Sequence, residues 1–385
     1  MLSENIKKLL LISESRGIDN IFIICVGILS LIGLIMITST TLDFATQKDN
    51  MNAFHFTIKH SIYLAMGLFV TFLLARVKLS FYHDYSKIIL LIAFIVSILV
   101  FFPGLGKTVK GATRWIDLGV FTVQVSEISR LFILIWVSSY IVRKDTDKSF
   151  NKPLLLVIAL SIIILMQNDF GSAAVLVASF LALSFISGIN MKKFLIWLSA
   201  FSFSAILIAF LTPYRFKRLI SFIDPWQDPT GSGFQLIASE LAFSKGGFFG
   251  LGLGSSIQKL FYLPESYNDF IFAIIAEELG LFFIVFVISI FILLISRIFI
   301  LARQSADNEM IFASYLAYSI GFLILIQTLI HMSVNIGLVP TKGMGLPFIS
   351  FGGTNILVMF ICVGILIRIQ IENRKKISQA VQRSY

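Results

Sequence analysis

The chain has 385 residues, of which 57% are hydrophobic and only 14% charged, with 31 Lys and Arg against 21 Asp and Glu and a formal net charge of +10. Its mean hydropathy is +0.91. Soluble domains carry about 25% charged and about 45–50% apolar residues, so this composition excludes a soluble enzyme or a nucleic-acid-binding domain. Lipid is the solvent for most of the surface.

Residues 1–17 read as a cytoplasmic amphipathic tail. Lys7 and Lys8 flank a short apolar run, but Glu4, Glu14 and Arg16 follow without the small-residue cleavage site of a signal peptide. Apolar stretches then recur at roughly 18–40, 58–76, 86–103, 124–142, 153–168, 171–189, 194–213, 268–296, 309–334 and 350–370. They are apolar all round and lack the alternation of a membrane barrel, so helices are expected. The fold class is therefore all-α, a polytopic membrane protein with about ten transmembrane helices within 18–372. With the N-terminus in the cytoplasm, Arg143, Lys144, Lys192, Lys193, Arg297 and Arg303 fall in inner loops and Arg374, Lys375 and Lys376 in a basic cytoplasmic tail, 373–385. That satisfies the positive-inside rule and puts both termini inside. Cys25 and Cys362 fall within spans and imply neither a disulfide framework nor a metal cluster.

The outer segments are then 41–57, 104–123, 214–267 and 335–349, with a very tight turn near Asp169. The large one, 214–267, lies between the seventh and eighth helices. Its run FQLIASELAF is amphipathic and too short to span, which suits a re-entrant or interfacial element. Lys107, Lys110, Arg114, Arg215, Lys217, Arg218, Lys245, Lys259 and Lys342 all fall outside, against the usual bias. An anionic ligand explains them, and tolerance of charge in long outer loops is the plain alternative.

Three stretches carry candidate chemistry. In LPESYNDFIFAIIAEELG, Asp269 stands at the mouth of the eighth span. Helical spacing puts it on one stripe with Ala273, Ala276, Glu277 and Gly280, with Phe270, Ile271 and Ile274 on the other side. A helix-terminal acid favoured by the dipole is the competing reading. Glu277 and Glu278 lie deeper and need partners, so a structural ion pair or hydrogen bond is expected of them. In GATRWIDLGVFTVQVSEISR, Glu127 and Arg130 can pair at i, i+3, and Trp115 beside Arg114 suits the headgroup level. In NIGLVPTKGMGLPFISFGGTN, a rigid Pro- and Gly-rich loop presents Lys342. The four histidines lack metal-ligand spacing, and GLGLG at Gly250 follows no strand, so neither motif carries weight.

Together with PYRFKRLISFIDPWQDPTGSGFQL, these stretches resemble the SEDS family (shape, elongation, division and sporulation) over nearly the whole chain, and its division branch more than its elongation branch. The resemblance implies a peptidoglycan glycosyltransferase that polymerises lipid II outside the bacterial cytoplasmic (inner) membrane at the division septum. It also implies a class B penicillin-binding protein and other divisome membrane proteins as partners. The family's essential carboxylate falls on Asp269, its loop tryptophan on Trp115 and its loop lysine on Lys342, while Arg114 and Glu127 match motif positions. Val125 and Asn168 stand where proline is common, Arg130 where lysine is, Tyr267 where histidine is and Ala276 where glycine is. Under this reading Asp269 is the general base and Arg114, Arg215, Arg218 and Lys342 are cationic contacts for the pyrophosphate. A divalent cation such as magnesium could assist, although no metal cage is legible. The rivals are a lipid II flippase, an elongation-type polymerase and an inactive divisome scaffold. A transporter's site would lie near the midplane, whereas the breaks and basic residues here gather on the outer side.

Overall fold

The structure is a computed structural model that describes residues 18–46, 52–109, 111–117, 119, 122–144 and 149–383. The expected tail at 1–17, Lys110 and the last two residues of 373–385 lie outside them. In chain order the helices are α1 (Asn20–Thr46), α2 (His55–Leu74), α3 (Leu79–Asp84), α4 (Ser86–Leu99), α5 (Val125–Arg143), α6 (Asn151–Met166), α7 (Phe170–Ile186), α8 (Met191–Leu211), α9 (Pro213–Ile223), α10 (Phe234–Gly246), α11 (Ile271–Asp307), α12 (Ile311–Asn335) and α13 (Gly353–Arg383). All ten expected apolar stretches fall on helices. Seven of these, α1, α2, α5, α8, α11, α12 and α13, are long and apolar enough to cross a membrane. The other three, α4, α6 and α7, are 14, 16 and 17 residues long. At about 1.5 Å per residue they fall short of the roughly 30 Å hydrocarbon core, so seven spans rather than ten have full length.

The core forms around α5, α12 and α13. Most of α5 is buried, including Ser126, Ser129, Ser138 and Ser139. Small hydroxyls let helices approach closely and bond across the seam. Ser129 meets Ser97 of α4 at 2.7 Å, and Ser138 meets Ser319 of α12 at 2.7 Å. By contrast α8 has no buried residue and lies at the periphery with its apolar side chains outward.

The segment 104–123, expected outside, holds a small antiparallel sheet of β1 (Gly106–Val109), β2 (Ala112–Asp117) and β3 (Thr122–Gln124), in that order. Lys107 opposes Trp115, and Trp115 opposes Gln124. From sequence alone this segment is only a loop, because strands of three to six residues carry too little alternation to register. β3 runs directly into α5. The backbone of Gln124 donates to Thr354 Oγ1 at 2.9 Å, tying the sheet to the start of α13.

The expected single span 268–296 is interrupted. α11 breaks at Gly280, which takes φ +75° and ψ −179°. An added Cβ there would sit 2.4 Å from the Gly250 nitrogen, so glycine is required for the close approach as well as for the dihedral. The chain at the break bonds in extended fashion to the loop after α10. Leu251 and Gly252 nitrogens donate to the carbonyls of Glu277 and Glu278, each at 2.9 Å, and Leu281 and Phe282 nitrogens return to Gly247 and Phe248 at 3.0 and 3.1 Å. Thus α10, the FQLIASELAF element, packs along the first part of α11 and its end turns back beside the break. This first part, 271–278, is buried on every side. Phe270, Ile271 and Ile274 are as enclosed as the small-residue stripe opposite them.

Candidate functional site

Asp269 stands in the turn before α11, one residue ahead of the helix cap at Phe270. The connection between α12 and α13 folds over it. A Cβ added at Gly343 would lie 2.6 Å from Asp269 Oδ2, so Gly343, the neighbour of Lys342, passes directly beside the carboxylate. Hydrogen bonds join the two segments. Ser350 Oγ donates to Asn268 O at 2.6 Å and accepts from Leu346 N at 2.7 Å, and Phe351 N donates to Tyr267 O at 3.0 Å. Tyr267 packs its ring on Phe56 and Phe351. Burial, with Glu265 and Asp269 nearby, pushes its phenol up to about 12, so it stays protonated and cannot serve as a base.

The cationic residues gather beside this pair. Lys342 Nζ and the Arg215 guanidinium each lie 5.3 Å from the centre of the Phe170 ring. Arg218 donates to Thr341 O at 2.7 Å and lies 4.7 Å over Tyr214. Arg114, on β2, stacks on Trp115 at 4.3 Å and reaches Asp169 Oδ1 at 3.5 Å. Burial lowers the Lys342 ammonium to about 8; Asp169 opposes that change, while Arg215, Arg114 and Arg218 add to it. Burial likewise lowers Arg215. Four cations crowded into a partly desolvated recess, with one carboxylate among them, form a site ready for a multiply charged anion.

That carboxylate is Asp169, noted in the sequence only as a tight turn. It is fully buried and accepts from Ser126 Oγ and Ser172 Oγ at 2.7 Å and from Gln124 Nε2 at 3.0 Å. Burial alone would raise its pKa, but Arg114, Lys342 and the two serines outweigh that and hold it below the ordinary carboxylate value. It therefore anchors Arg114 and Lys342 electrostatically. Its sequence context reads equally well as a helix cap, since its side chain also accepts from Ser172 N.

Other expected site residues lie deeper. Glu127 and Arg130 pair on α5, with Arg130 Nη2 reaching Gln327 Oε1 at 3.4 Å. Glu277 accepts from Ser256 Oγ and from the nitrogens of Ile257 and Gln258, both at 3.2 Å. Glu278 accepts from Ser39 Oγ at 2.8 Å and from Lys259 Nζ at 3.0 Å. Lys259, expected among the outer anion-binding cations, is thus buried against a carboxylate and is removed from that group. Lys107 and Lys217 are exposed and pair with Asp117 at 2.8 Å and Asp228 at 3.1 Å. Arg114, Arg215, Arg218 and Lys342 remain together. Among the described residues no group of three or more His, Cys, Asp or Glu stands close enough to hold a metal.

Fold and site together define a multi-pass helical membrane protein with a carboxylate and a cationic recess where the connections at one end of the bundle meet. A family model described as "Cell cycle protein", grouping FtsW, RodA and SpoVE, matches residues 19–375, and the chain belongs to this family, the SEDS proteins. It is 40% identical over 363 residues to the probable peptidoglycan glycosyltransferase FtsW of Coxiella burnetii, covering 93% of this chain and 97% of that relative. It is 41% identical over 348 residues to the protein of the same name from Hahella chejuensis, covering 89% and 87%. Among solved structures, a chain of a peptidoglycan synthase complex superposes with a TM-score of 0.76 at 20% identity, covering 93% of this chain and 99% of that one. The rod shape determining protein RodA of Thermus thermophilus gives 0.68 at 18%, covering 92% and 97%. These two likenesses establish the fold.

Proposed function

We propose that this chain is a peptidoglycan glycosyltransferase that polymerises lipid II at the outer face of the bacterial cytoplasmic membrane, in the septal wall synthesis of cell division. Its partners on this reading are a class B penicillin-binding protein of the FtsI type and other divisome membrane proteins. One observation carries the proposal: the Asp269 carboxylate lies against the loop of Lys342, beside a recess of three arginines. The names borne by relatives of about 40% identity over most of the chain support the same activity and the division branch.

The chemistry follows from those charges. The 4-hydroxyl of an incoming GlcNAc attacks the anomeric carbon of the growing strand. The C–O bond to the lipid pyrophosphate breaks, and the linkage inverts. Asp269 takes the hydroxyl proton as the new bond forms. Lys342, Arg114, Arg215 and Arg218 hold the pyrophosphate, whose charge grows as it leaves. Such a leaving group needs no strong acid. Trp115, half-buried beneath Arg114, offers a flat apolar surface for sugar or lipid. A flippase would need polar groups free to receive cargo along the bundle, whereas Glu127, Glu277 and Glu278 are committed to internal partners.

Asp269→Asn tests the assignment, because it preserves shape but cannot accept a proton. Purified with its penicillin-binding partner, the variant is expected to bind lipid II normally and to polymerise it about 10²–10⁴-fold more slowly. Polymerisation at near wild-type rate would remove Asp269 as the base.

A further inference from the structure

Beneath both loops of the site runs α12. Three polar side chains on it, Gln327, His331 and Asn335, recur every four residues and so stand in one row on one face. All three are buried, and each ends on main chain of the site. Gln327 Nε2 donates to Gly345 O at 3.0 Å, and His331 Nδ1 donates to Met344 O at 2.6 Å. Asn335 Nδ2 donates to Asp269 O at 3.0 Å while its Oδ1 accepts from Ala273 N at 3.1 Å. A carbonyl only accepts, so His331 carries its proton on Nδ1.

We propose that this row is a positioning ladder that sets the height of the Lys342 loop against Asp269, and so governs turnover without touching substrate. The inference rests on the glycosyl-transfer reading above. The loop contains Gly343 and Gly345, whose backbones are too free to hold a fixed geometry unaided. A single rigid helix grips it and the Asp269 turn together, two segments that meet only through folding. The lowest rung is itself oriented: Gln327 Oε1 faces Arg130, which is paired with Glu127, and this leaves Nε2 toward Gly345. The buried ion pair of α5 thereby reaches the site through one amide. None of the three rungs is a catalytic residue; toward the site they bond main-chain groups only.

His331 allows a test in which polarity is kept and position alone changes. In His331→Asn the amide nitrogen can occupy the place of Nδ1, whereas in His331→Gln it falls near the place of Nε2. Both variants, with the wild type, are purified with the penicillin-binding partner. They are compared by lipid II polymerisation, melting temperature and hydrogen exchange of the peptide spanning 341–351. The Asn variant should keep kcat within about threefold of wild type, and the Gln variant should lose roughly 100-fold in kcat with little change in KM. Exchange of 341–351 should rise in the Gln variant alone, at equal melting temperatures. Equal kcat and equal exchange in the two variants would overturn the ladder. A wild type that makes no glycan, with exchange still separating the variants, would overturn the transferase reading and the ladder's control of turnover with it, leaving only its hold on the loop.

Discussion

Among the cations of the recess, burial brings the charge of Lys342 within reach of titration just above neutral pH. Its ammonium sits at about 8, so it is charged below that and neutral above it. If it binds pyrophosphate, lipid II affinity should hold at neutral pH and weaken as pH rises through about 8, while Lys342→Arg should stay flat over the same range. Asp169 is the neighbour that raises this pKa, so Asp169→Asn should move the break to lower pH. Titration of lipid II binding against pH reads both effects, and an affinity indifferent to pH from 7 to 9 in the wild type would remove Lys342 from the anion site. Asp269, Trp115 and Lys342 stand out in the sequence by their place in the outer motifs, and the family resemblance gives them roles, whereas Asp169 reads there only as a tight turn. A lone acid at a helix start is indistinguishable by spacing from an ordinary cap, and its contacts to Arg114 and Lys342 come from residues 55 and more positions away. Gln327, His331 and Asn335 did carry a signal in their four-residue spacing within an apolar helix.

At the scale of elements, the break in α11 depends on a buried pair. Lys259 joins Glu278, the carbonyl of Gly254 and Ser39 of α1, so one ammonium fastens the loop after α10 to two helices. Lys259→Met would leave the Glu278 carboxylate buried without its cation, at a cost of about 3–5 kcal/mol. The double variant Lys259→Met, Glu278→Gln removes both charges and should be markedly less unstable. Melting of the purified proteins in detergent compares them, and a double variant no better than the single would show that charge compensation is not what holds the loop. Gly280→Ala should also destabilise, since alanine would need both a left-handed backbone and room that Gly250 occupies. The need of Glu277 and Glu278 for partners was legible from their place in an apolar run. The break itself was not, because a glycine in such a run reads equally well as a close-packing residue.

For the whole molecule, the positive-inside rule predicts that both termini lie inside and the 214–267 segment outside, with the three shorter apolar helices crossing as well. Cys25 and Cys362 are buried, so a probe that cannot cross the membrane meets little background. It should label a cysteine placed at the exposed Thr230 in intact spheroplasts and should spare one at the exposed Ser378, and the reverse pattern would invert the topology. The apolar helices were legible because length and hydropathy decide them locally, while the sheet and the convergence of loops depend on distant contacts. That convergence also bears on biogenesis. The recess draws Arg114 and Asp169 from the first half of the chain and Asp269 from the head of α11, but Ser350, Thr354 and Asn355 brace it from the entry to the last helix. A nascent copy therefore threads every earlier helix into the bilayer before its site can close. A copy halted before α13 should be inactive, its loops left without the bonds from Ser350, Thr354 and Asn355.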